Sequence, residues 1–433
     1  MRSIGLLLFV PLMWAGCSSS QEESCEVGPS SGEVEAQEVQ TTEERVHASA
    51  RDSQKRVVFV GQQCNTYPDC SVAVWRKARD GSVDTEFGTD GLATYDSASG
   101  QNDDGYAVYI DDQDRIWVSG ISNGDLALWR FLEDGSIDTS FASSGAFIRD
   151  NPLGLGGSSA KTDYGIAVVE GSGSAVILLN YTAFSGNYYG LVQVTENGSL
   201  DTSFGSSGVQ DLSSLPDTSS CSLTDLVRQG NHLVAIGYDG TNYVSVKLSL
   251  AGELLTGFDA DGVRNYAVAG GFVAVESAHL RFSDEGEAYV VGNGVDSGFS
   301  TARTVVMKLD SDLALDTNFD GDGFAILDRD AAYSHESGSD LSIGEHGIFV
   351  LTHARNTSST LSRAVVRALD PDAGVVDGEF GDSGQILLED TYGGGANRDT
   401  YETFGPGCKV LHVAGYAQNS AGTVTRGAFS RLR

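Results

Sequence analysis

Two short acidic turns are the residues whose types and spacing most suggest chemistry. They read Asp-Ala-Asp-Gly at residues 259–262 and Asp-Gly-Asp-Gly at residues 320–323. Oxygen ligands at alternate positions, with glycine allowing a sharp turn, are what calcium loops use. The distal acidic ligand of an EF-hand-type loop is absent, and Asp-Gly is also a common turn without metal. The candidate calcium ligands are therefore Asp259, Asp261, Asp320 and Asp322, and no other cofactor is expected.

One further stretch has the letters found around the nucleophile of trypsin-like proteases. It is Gly-Asp-Ser-Gly at residues 381–384, and it follows Phe380 where other copies of a repeated phrase carry a turn such as residues 205–208. We interpret it as the turn of that repeat. The seven histidines are scattered without an HExxH pair, and no phosphate-binding or dinucleotide fingerprint occurs. The sequence thus singles out no catalytic residue, and a non-catalytic protein is favoured over an enzyme.

The net charge of the chain limits the classes of partner that it can bind. It carries 27 Lys+Arg against 60 Asp+Glu, a formal net charge of −33. Nucleic-acid binding needs clustered basic residues that displace counterions, so a nucleic-acid partner is excluded. Cations and basic partners are compatible with such a surface, which also keeps an exported protein soluble. We expect a monomer.

A seven-residue phrase that recurs six times reveals the architecture. It reads Gly-Ser-Val-Asp-Thr-Glu-Phe at residues 81–87, and the phenylalanines of the six copies are spaced 54, 63, 54, 61 and 61 residues apart. A period of this size indicates one structural unit copied in tandem. The aspartate three residues before most of these phenylalanines should accept backbone N–H groups or pair with a basic residue. We expect packing between neighbouring units for Phe87, Phe141, Phe204, Phe258, Phe319 and Phe380.

Each unit reads as four short strands. In residues 106–148, four apolar runs are separated by polar or Asp-Gly turns, with no helical period. The pattern of the second strand occurs seven times, whereas the chain stops at Arg433 just after the seventh third strand. The sequence therefore predicts an all-β, seven-bladed β-propeller of four-stranded antiparallel blades over residues 44–433. Residues 32–42 should supply the missing strand and close the ring; the alternative is an open solenoid.

In a closed ring, polar residues that lead into the first strands approach one mouth of the central channel. A ring of carboxylates there could hold a cation or steer a basic partner. The alternative is a solvated rim without a ligand. The acidic residues concerned are Glu44, Asp104, Asp163, Asp225, Asp340 and Asp399, with Ser277 in the remaining unit.

The N-terminus indicates export. Residues 1–16 contain a short apolar core of the secretory type and end in Ala-Gly before Cys17, which resembles a bacterial lipoprotein signal. Cys17 is the predicted lipidation site, and ordinary secretion is the alternative. Residues 17–43 are rich in Ser, Glu, Gln and Gly and should form a disordered tether. We expect anchoring to the cell envelope through lipid alone, at the outer membrane or cell surface.

An exported chain meets an oxidising compartment, so its cysteines should pair. Cys64 and Cys70 lie in one loop that connects two strands, and a local disulfide is predicted between them. Five cysteines remain beyond Cys17, so at least one stays free or pairs outside the chain. Cys25 with Cys408 is the candidate second pair.

The repeated phrase resembles the delta-60 repeat of exported bacterial proteins. Asn-Gly-Ser-Leu-Asp-Thr-Ser-Phe-Gly at residues 197–205 is close to the full motif, and the resemblance covers about residues 44 to 433. It implies tandem repeats and a propeller, and it implies no catalytic residue. The predicted function is an envelope-anchored, non-catalytic binding or scaffold module with a protein or polysaccharide partner. The alternatives are a carbohydrate-active hydrolase or lyase with a site at the channel mouth, and a structural envelope protein.

Overall fold

The fold consists of β-strands. The computed structural model describes residues 43–66, 68–97, 101–155, 162–183, 186–215, 221–268, 271–298, 300–329, 333–344, 347–356, 362–388, 398–405, 411–418 and 424–432. Within them the one helical element is a 3-10 turn, Phe319–Gly321. None of these residues belongs to a helix long and apolar enough to span a bilayer. The predicted signal peptide, Cys17, the tether up to residue 42 and the closing strand at residues 32–42 lie outside the described residues, whereas Glu43, the last residue of the predicted tether, begins the first strand.

The strands fall into units that follow one another along the chain. Unit 1 comprises β1 Glu43–Arg51, β2 Val57–Thr66, β3 Asp69–Lys77 and β4 Leu92–Tyr95. Unit 2 comprises β5 Asp103–Ile110, β6 Ile116–Ser122, β7 Asp125–Phe131 and β8 Ala146–Arg149. Unit 3 comprises β9 Thr162–Glu170, β10 Ser174–Ala183, β11 Gly186–Thr195 and β12 Val209–Asp211. Unit 4 comprises β13 Ser222–Gln229, β14 His232–Tyr238, β15 Asn242–Ser249 and β16 Val263–Ala267.

The remaining units follow the same order. Unit 5 comprises β17 Ala274–Phe282, β18 Ala288–Val295, β19 Ala302–Leu309 and β20 Phe324–Ile326. Unit 6 comprises β21 His335–Gly344, β22 Gly347–Arg355, β23 Ser362–Leu369 and β24 Gln385–Leu388. Unit 7 has three strands among the described residues, β25 Arg398–Gly405, β26 Leu411–Gln418 and β27 Val424–Leu432.

Each unit is an antiparallel sheet whose strands are hydrogen-bonded in chain order. Short turns produce this arrangement, because antiparallel neighbours need only a few connecting residues. Units 5 and 6 are joined into one larger sheet by a single parallel bridge between Ala302 and His335. No sheet of the described residues closes on itself.

The hydrophobic core lies between units. The described residues form seven apolar clusters, and each combines side chains of two units. Six of them join units that are consecutive in the chain. The seventh places Ala414 of unit 7 among Val46, Phe59 and Trp75 of unit 1. The apolar faces of a unit are therefore covered by its two neighbours, as stacking of repeated units requires.

The first strands also contact one another in sequence. β1 contacts β5, β5 contacts β9, and the series continues through β13, β17 and β21 to β25. β25 in turn contacts β1, as do β26 and β27. The Ser49 hydroxyl donates to the Phe404 carbonyl at 2.5 Å across the same contact. The first and last units thus lie side by side.

The phenylalanines of the repeated phrase lie in these clusters. All six are at most 8% exposed, and each touches the unit that follows its own. Around Phe141, the Arg130 Nε donates to Asp138 Oδ2 at 2.7 Å while its Nη1 donates to the Glu196 carbonyl of the next unit at 2.7 Å. The guanidinium also lies 4.8 Å from the centre of the Phe141 ring. One arginine therefore ties the phrase to the neighbouring unit.

Candidate functional site

Every first strand carries a β-bulge at a comparable place. The register of the pairing between first and second strands shifts by one residue in all seven units. A bulge re-aims a side chain and is common beside functional sites. The residues skipped by the register are His47, Tyr106, Ile166, Thr224, Ser277, Ser339 and Glu402.

Four of these bulged residues line one cavity of about 690 Å³, hereafter the first cavity. They come from units 1, 4, 5 and 6, so the first strands of four units contribute to its wall. We call the space between the first strands the channel. Loop residue Gly240 and the beginning of β17 also line the cavity, which places it towards the end of the channel where first strands begin. We call this end the mouth.

The wall of the first cavity combines apolar surface with several polar side chains. Ser277, at a positive φ of 53°, donates its hydroxyl to Asn293 Oδ1 at 3.0 Å. Asn293 is 2% exposed, and its amide donates to Glu276 Oε2 at 3.4 Å. His279 and His353 complete this side of the cavity. The wall thus offers hydroxyl, amide, imidazole and carboxylate groups, which can hydrogen-bond a polar ligand.

A second cavity of about 420 Å³ lies at the mouth beside units 1 to 3. Its polar groups include Arg45, Asp104 and Asn123, and its aromatic groups are Tyr106 and Tyr164. Burial raises the pKa of the Tyr106 hydroxyl, and the charge of Asp104 raises it further. Tyr106 therefore remains protonated at neutral pH and can donate a hydrogen bond.

One contact joins a lining residue of the first cavity, His47, to a lining residue of the second, Asp104. The Nε2 atom of His47, which lines the first cavity, lies 3.3 Å from Oδ1 of Asp104, which lines the second. The His47 and Tyr106 ring centroids are 5.0 Å apart, and those of Tyr106 and Tyr164 are 5.8 Å apart. Three rings from units 1, 2 and 3 therefore run side by side from one cavity into the other. We call His47, Tyr106 and Tyr164 the aromatic strip.

The predicted carboxylates do not form one ring at the mouth. Asp225 and Asp340 follow the bulge in their strands, whereas Glu44, Asp104 and Asp163 precede it. A bulge adds one residue to the strand, so positions on its two sides differ in depth and direction. The expectation of a single carboxylate ring is therefore corrected. Asp399 lies in β25, and its side chain is outside the described set.

Two of these carboxylates are not part of a solvated rim. Glu44 and Asp163 are 0% exposed; Gln63 Nε2 donates to Glu44 Oε1 at 2.7 Å, and the backbone N–H of Asn151 donates to Asp163 Oδ2 at 2.7 Å.

Asp225 and Asp340 both bind the guanidinium group of Arg281. Arg281 Nη1 donates to Asp225 Oδ2 at 2.9 Å, and its Nη2 donates to Asp340 Oδ1 at 2.8 Å. Asp340 Oδ2 also accepts from the Phe404 amide at 3.0 Å. This network links units 4, 5, 6 and 7, and it engages carboxylates that the sequence offered for a cation or a basic partner.

The two candidate calcium turns have other contacts. Asp261 Oδ1 accepts from the Val263 amide at 2.9 Å, and Asp322 Oδ1 accepts from the Phe324 amide at 3.0 Å. Asp259 and Asp320 have positive φ values of 50°, and Asp259 pairs with an arginine. Among the described residues, one group of three acidic side chains brings ligand atoms within 4.8 Å, and it consists of Asp125, Asp150 and Asp163. Calcium at residues 259–262 and 320–323 stays a prediction.

The three described cysteines comprise one disulfide pair and one thiol. Cys64 and Cys70 form a disulfide with a Cα–Cα distance of 3.9 Å. Cys221 is a free thiol. Its pKa is raised to about 12 by burial and by the charge of Asp239. Such a thiol is protonated at neutral pH and is a weak nucleophile. Cys25 and Cys408 lie outside the described residues.

The sequence did not single out His47, Tyr106, Tyr164, Asn293 or His279 as site residues. The sequence pattern marks these positions weakly, because the residue type at each of them is not repeated in the corresponding strands of the other units. One usable sign exists: the alternation of apolar and polar residues breaks inside the first strands, as a bulge requires.

Comparison with known proteins supports a β-propeller. Residues 114–141 match the family described as "Domain of unknown function (DUF5122) beta-propeller". This match covers the second and third strands of unit 2 and the repeated phrase that follows. No curated protein matches the chain in sequence.

Solved structures resemble the chain over most of its length at low identity. A catalytically inactive variant of virginiamycin B lyase from Staphylococcus aureus aligns with a TM-score of 0.51 and 8% identity, over 93% of this chain and 99% of that one. A putative 6-phosphogluconolactonase from Bacteroides uniformis aligns at 0.47 and 11%, over 89% and 95%. The polysaccharide lyase Uly1 aligns at 0.46 and 8%, over 89% of each chain. At 8% identity, the first likeness concerns the fold alone.

Proposed function

We propose that the chain is a closed, seven-bladed β-propeller that binds a polyhydroxylated ligand, such as a sugar, in the first cavity. One observation carries the proposal: residues from units 1, 4, 5 and 6 line a single cavity at the mouth, and several of them present polar side chains beside apolar surface. Its volume of about 690 Å³ lies in the range of small-molecule sites. The contact between units 7 and 1 supports closure.

The charge of the protein restricts the ligand. With a net charge of −33, the surface repels polyanions, and Glu276 adds a carboxylate to the cavity wall. An uncharged or cationic ligand is therefore favoured. The hydroxyl and amide groups of Ser277 and Asn293 suit sugar hydroxyls, which both donate and accept hydrogen bonds.

Ligand screening tests this proposal. We expect that neutral or amino sugars raise the melting temperature of the full chain and bind in calorimetry. Glu276→Gln and His279→Ala should weaken binding about tenfold each, as loss of one hydrogen bond to a charged or polar group would. Glu253→Gln, an exposed residue of a turn after β15, is the matched control and should bind normally. If no sugar binds, or if the control weakens binding equally, the proposal is wrong.

An enzyme is the second candidate, because Glu276, His279 and His353 share the first cavity. Carboxylates and imidazoles are the usual groups of general acid–base catalysis. A hydrolase or lyase would release reducing ends or unsaturated products from a bound oligosaccharide. If Glu276→Gln and His279→Ala abolish that release, the protein is an enzyme; if a bound sugar stays intact, it is a binding module.

We further propose that the propeller is tethered to the envelope through lipidated Cys17, as its N-terminal sequence suggests. Labelled palmitate should be incorporated by the natural chain and lost in Cys17→Ser. Unchanged labelling of that variant would contradict lipidation at this residue.

A further inference from the structure

We infer that the second cavity is an additional subsite of the same binding site, so that the ligand is a linear oligosaccharide without acidic groups. This rests on the proposed function of the first cavity and extends it across units 1, 2 and 3. A lining residue of each cavity takes part in one contact, His47 Nε2 to Asp104 Oδ1 at 3.3 Å. A ligand longer than one sugar would pass over this contact.

The aromatic strip runs from the first cavity towards the second. Its rings follow one another at centroid distances of 5.0 and 5.8 Å, from His47 in the first cavity to Tyr164 in the second. Tyr106 and Tyr164 are partly exposed and line the second cavity. A sugar ring has an apolar C–H face that packs on the large apolar face of an aromatic ring.

The polar groups of the second cavity suit the edges of the same ligand. Asn102 and Asn123 contribute amides, Thr162 a hydroxyl and Asp104 a carboxylate. Amides and hydroxyls both donate and accept hydrogen bonds, whereas an ionised carboxylate such as that of Asp104 can only accept them. Aromatic faces beside such groups fit a chain of sugars better than a peptide of fixed charge. Arg45 and Asp104 place one positive and one negative group in the cavity wall, so it is the net charge of −33 over the whole chain that disfavours acidic polysaccharides.

The chain-length dependence of binding tests the inference. We would measure dissociation constants of the full chain for glucose, cellobiose and cellotetraose, for the matching series of N-acetylglucosamine, and for a galacturonic acid tetramer. The expected result is that at least one neutral tetramer binds about tenfold more tightly than its monomer, and that the acidic tetramer binds more weakly.

Substitutions of Tyr164, the residue of the aromatic strip that lies farthest from the first cavity, test where the second subsite is. Tyr164→Ala should remove the gain from chain length while leaving monomer binding unchanged, and Tyr164→Phe should keep the gain. Tyr95→Ala is the matched control, because Tyr95 is a partly buried tyrosine on the outer strand β4. Thermal unfolding of each variant checks that it is folded.

The outcomes separate the two proposals. If monomers bind but length adds nothing, or if Tyr164→Ala keeps the gain, the second subsite is wrong and the first-cavity proposal stands. If the acidic tetramer binds best, the ligand class is wrong. If no sugar binds at all, the proposed function fails and the subsite with it.

Discussion

The packing between units and the lining of the channel are built from the same strands but follow different rules. Between units, each phrase places a phenylalanine at most 8% exposed against the next unit. At the bulges of the first strands, the corresponding residues differ from unit to unit, from His47 and Tyr106 to Ile166 and Ser277. Repeated positions thus maintain the architecture, whereas several positions that differ between units line the two cavities.

Truncation of a phrase phenylalanine should have the largest effect on stability. Phe204→Ala removes a ring that is 1% exposed between units 3 and 4, and we expect a loss of about 3–5 kcal/mol in the free energy of unfolding. Leu132→Ala, at a position 38% exposed, should change it by less than about 0.5 kcal/mol. Urea titrations measure both, and similar losses would contradict the assigned packing.

Loss of the ion pair between Arg130 and Asp138 should have the second-largest effect on stability. Asp138 pairs with the buried guanidinium of Arg130, whereas Asp201 accepts from the neutral amide of Gln193 at 3.2 Å. Removing one partner of a buried ion pair leaves a desolvated charge, which a neutral amide does not. We expect Asp138→Ala to cost about 3 kcal/mol and Asp201→Ala about 1 kcal/mol. Equal costs in urea unfolding would show that the arginine adds nothing to the turn.

The same pair predicts a dependence on pH. Burial opposes ionisation of Asp138, but hydrogen bonds from Ser140 and the charge of Arg130 outweigh it and lower its pKa. A lowered pKa adds stability above the unfolded value of about 3.9, and this stability is lost as the pH falls through the folded value. The natural chain should therefore lose its advantage over Asp138→Asn only in acid. An advantage that disappears near neutral pH would contradict this assignment.

Channel variants should have the smallest effect on stability. Glu276→Gln changes an exposed residue of the first cavity, so the free energy of unfolding should change by less than about 0.5 kcal/mol while ligand binding falls. A loss above about 1 kcal/mol in urea unfolding would assign Glu276 a structural role instead.

The repeating part of the fold could be predicted because each unit repeats the same local pattern. The second-strand pattern occurs at residues 57–61, 116–120, 176–180, 233–237, 288–292, 348–352 and 411–415, and these seven stretches lie within β2, β6, β10, β14, β18, β22 and β26. Alternating apolar residues and Asp-Gly turns determine these strands locally, and seven copies reinforce one another. Such agreement needs no knowledge of distant contacts.

The site could not be predicted in the same way. Asp225 and Asp340 looked equivalent to Asp104, yet the bulge places them on the other side of a register shift and against Arg281. A bulge changes direction without changing composition, so the pattern of acidic residues could not reveal it. The cavities depend on which units face one another across the channel, and that is a property of the assembled molecule.

Crystallographic electron density at the contact between units 7 and 1 tests the account most directly. A closed ring predicts continuous packing there, with Ala414 among Val46 and Trp75 and the Ser49 hydroxyl on the Phe404 carbonyl. A solvent-filled gap between β1 and β25–β27, or another element inserted between them, would contradict closure. The channel, its mouth and both proposed subsites would then have to be abandoned.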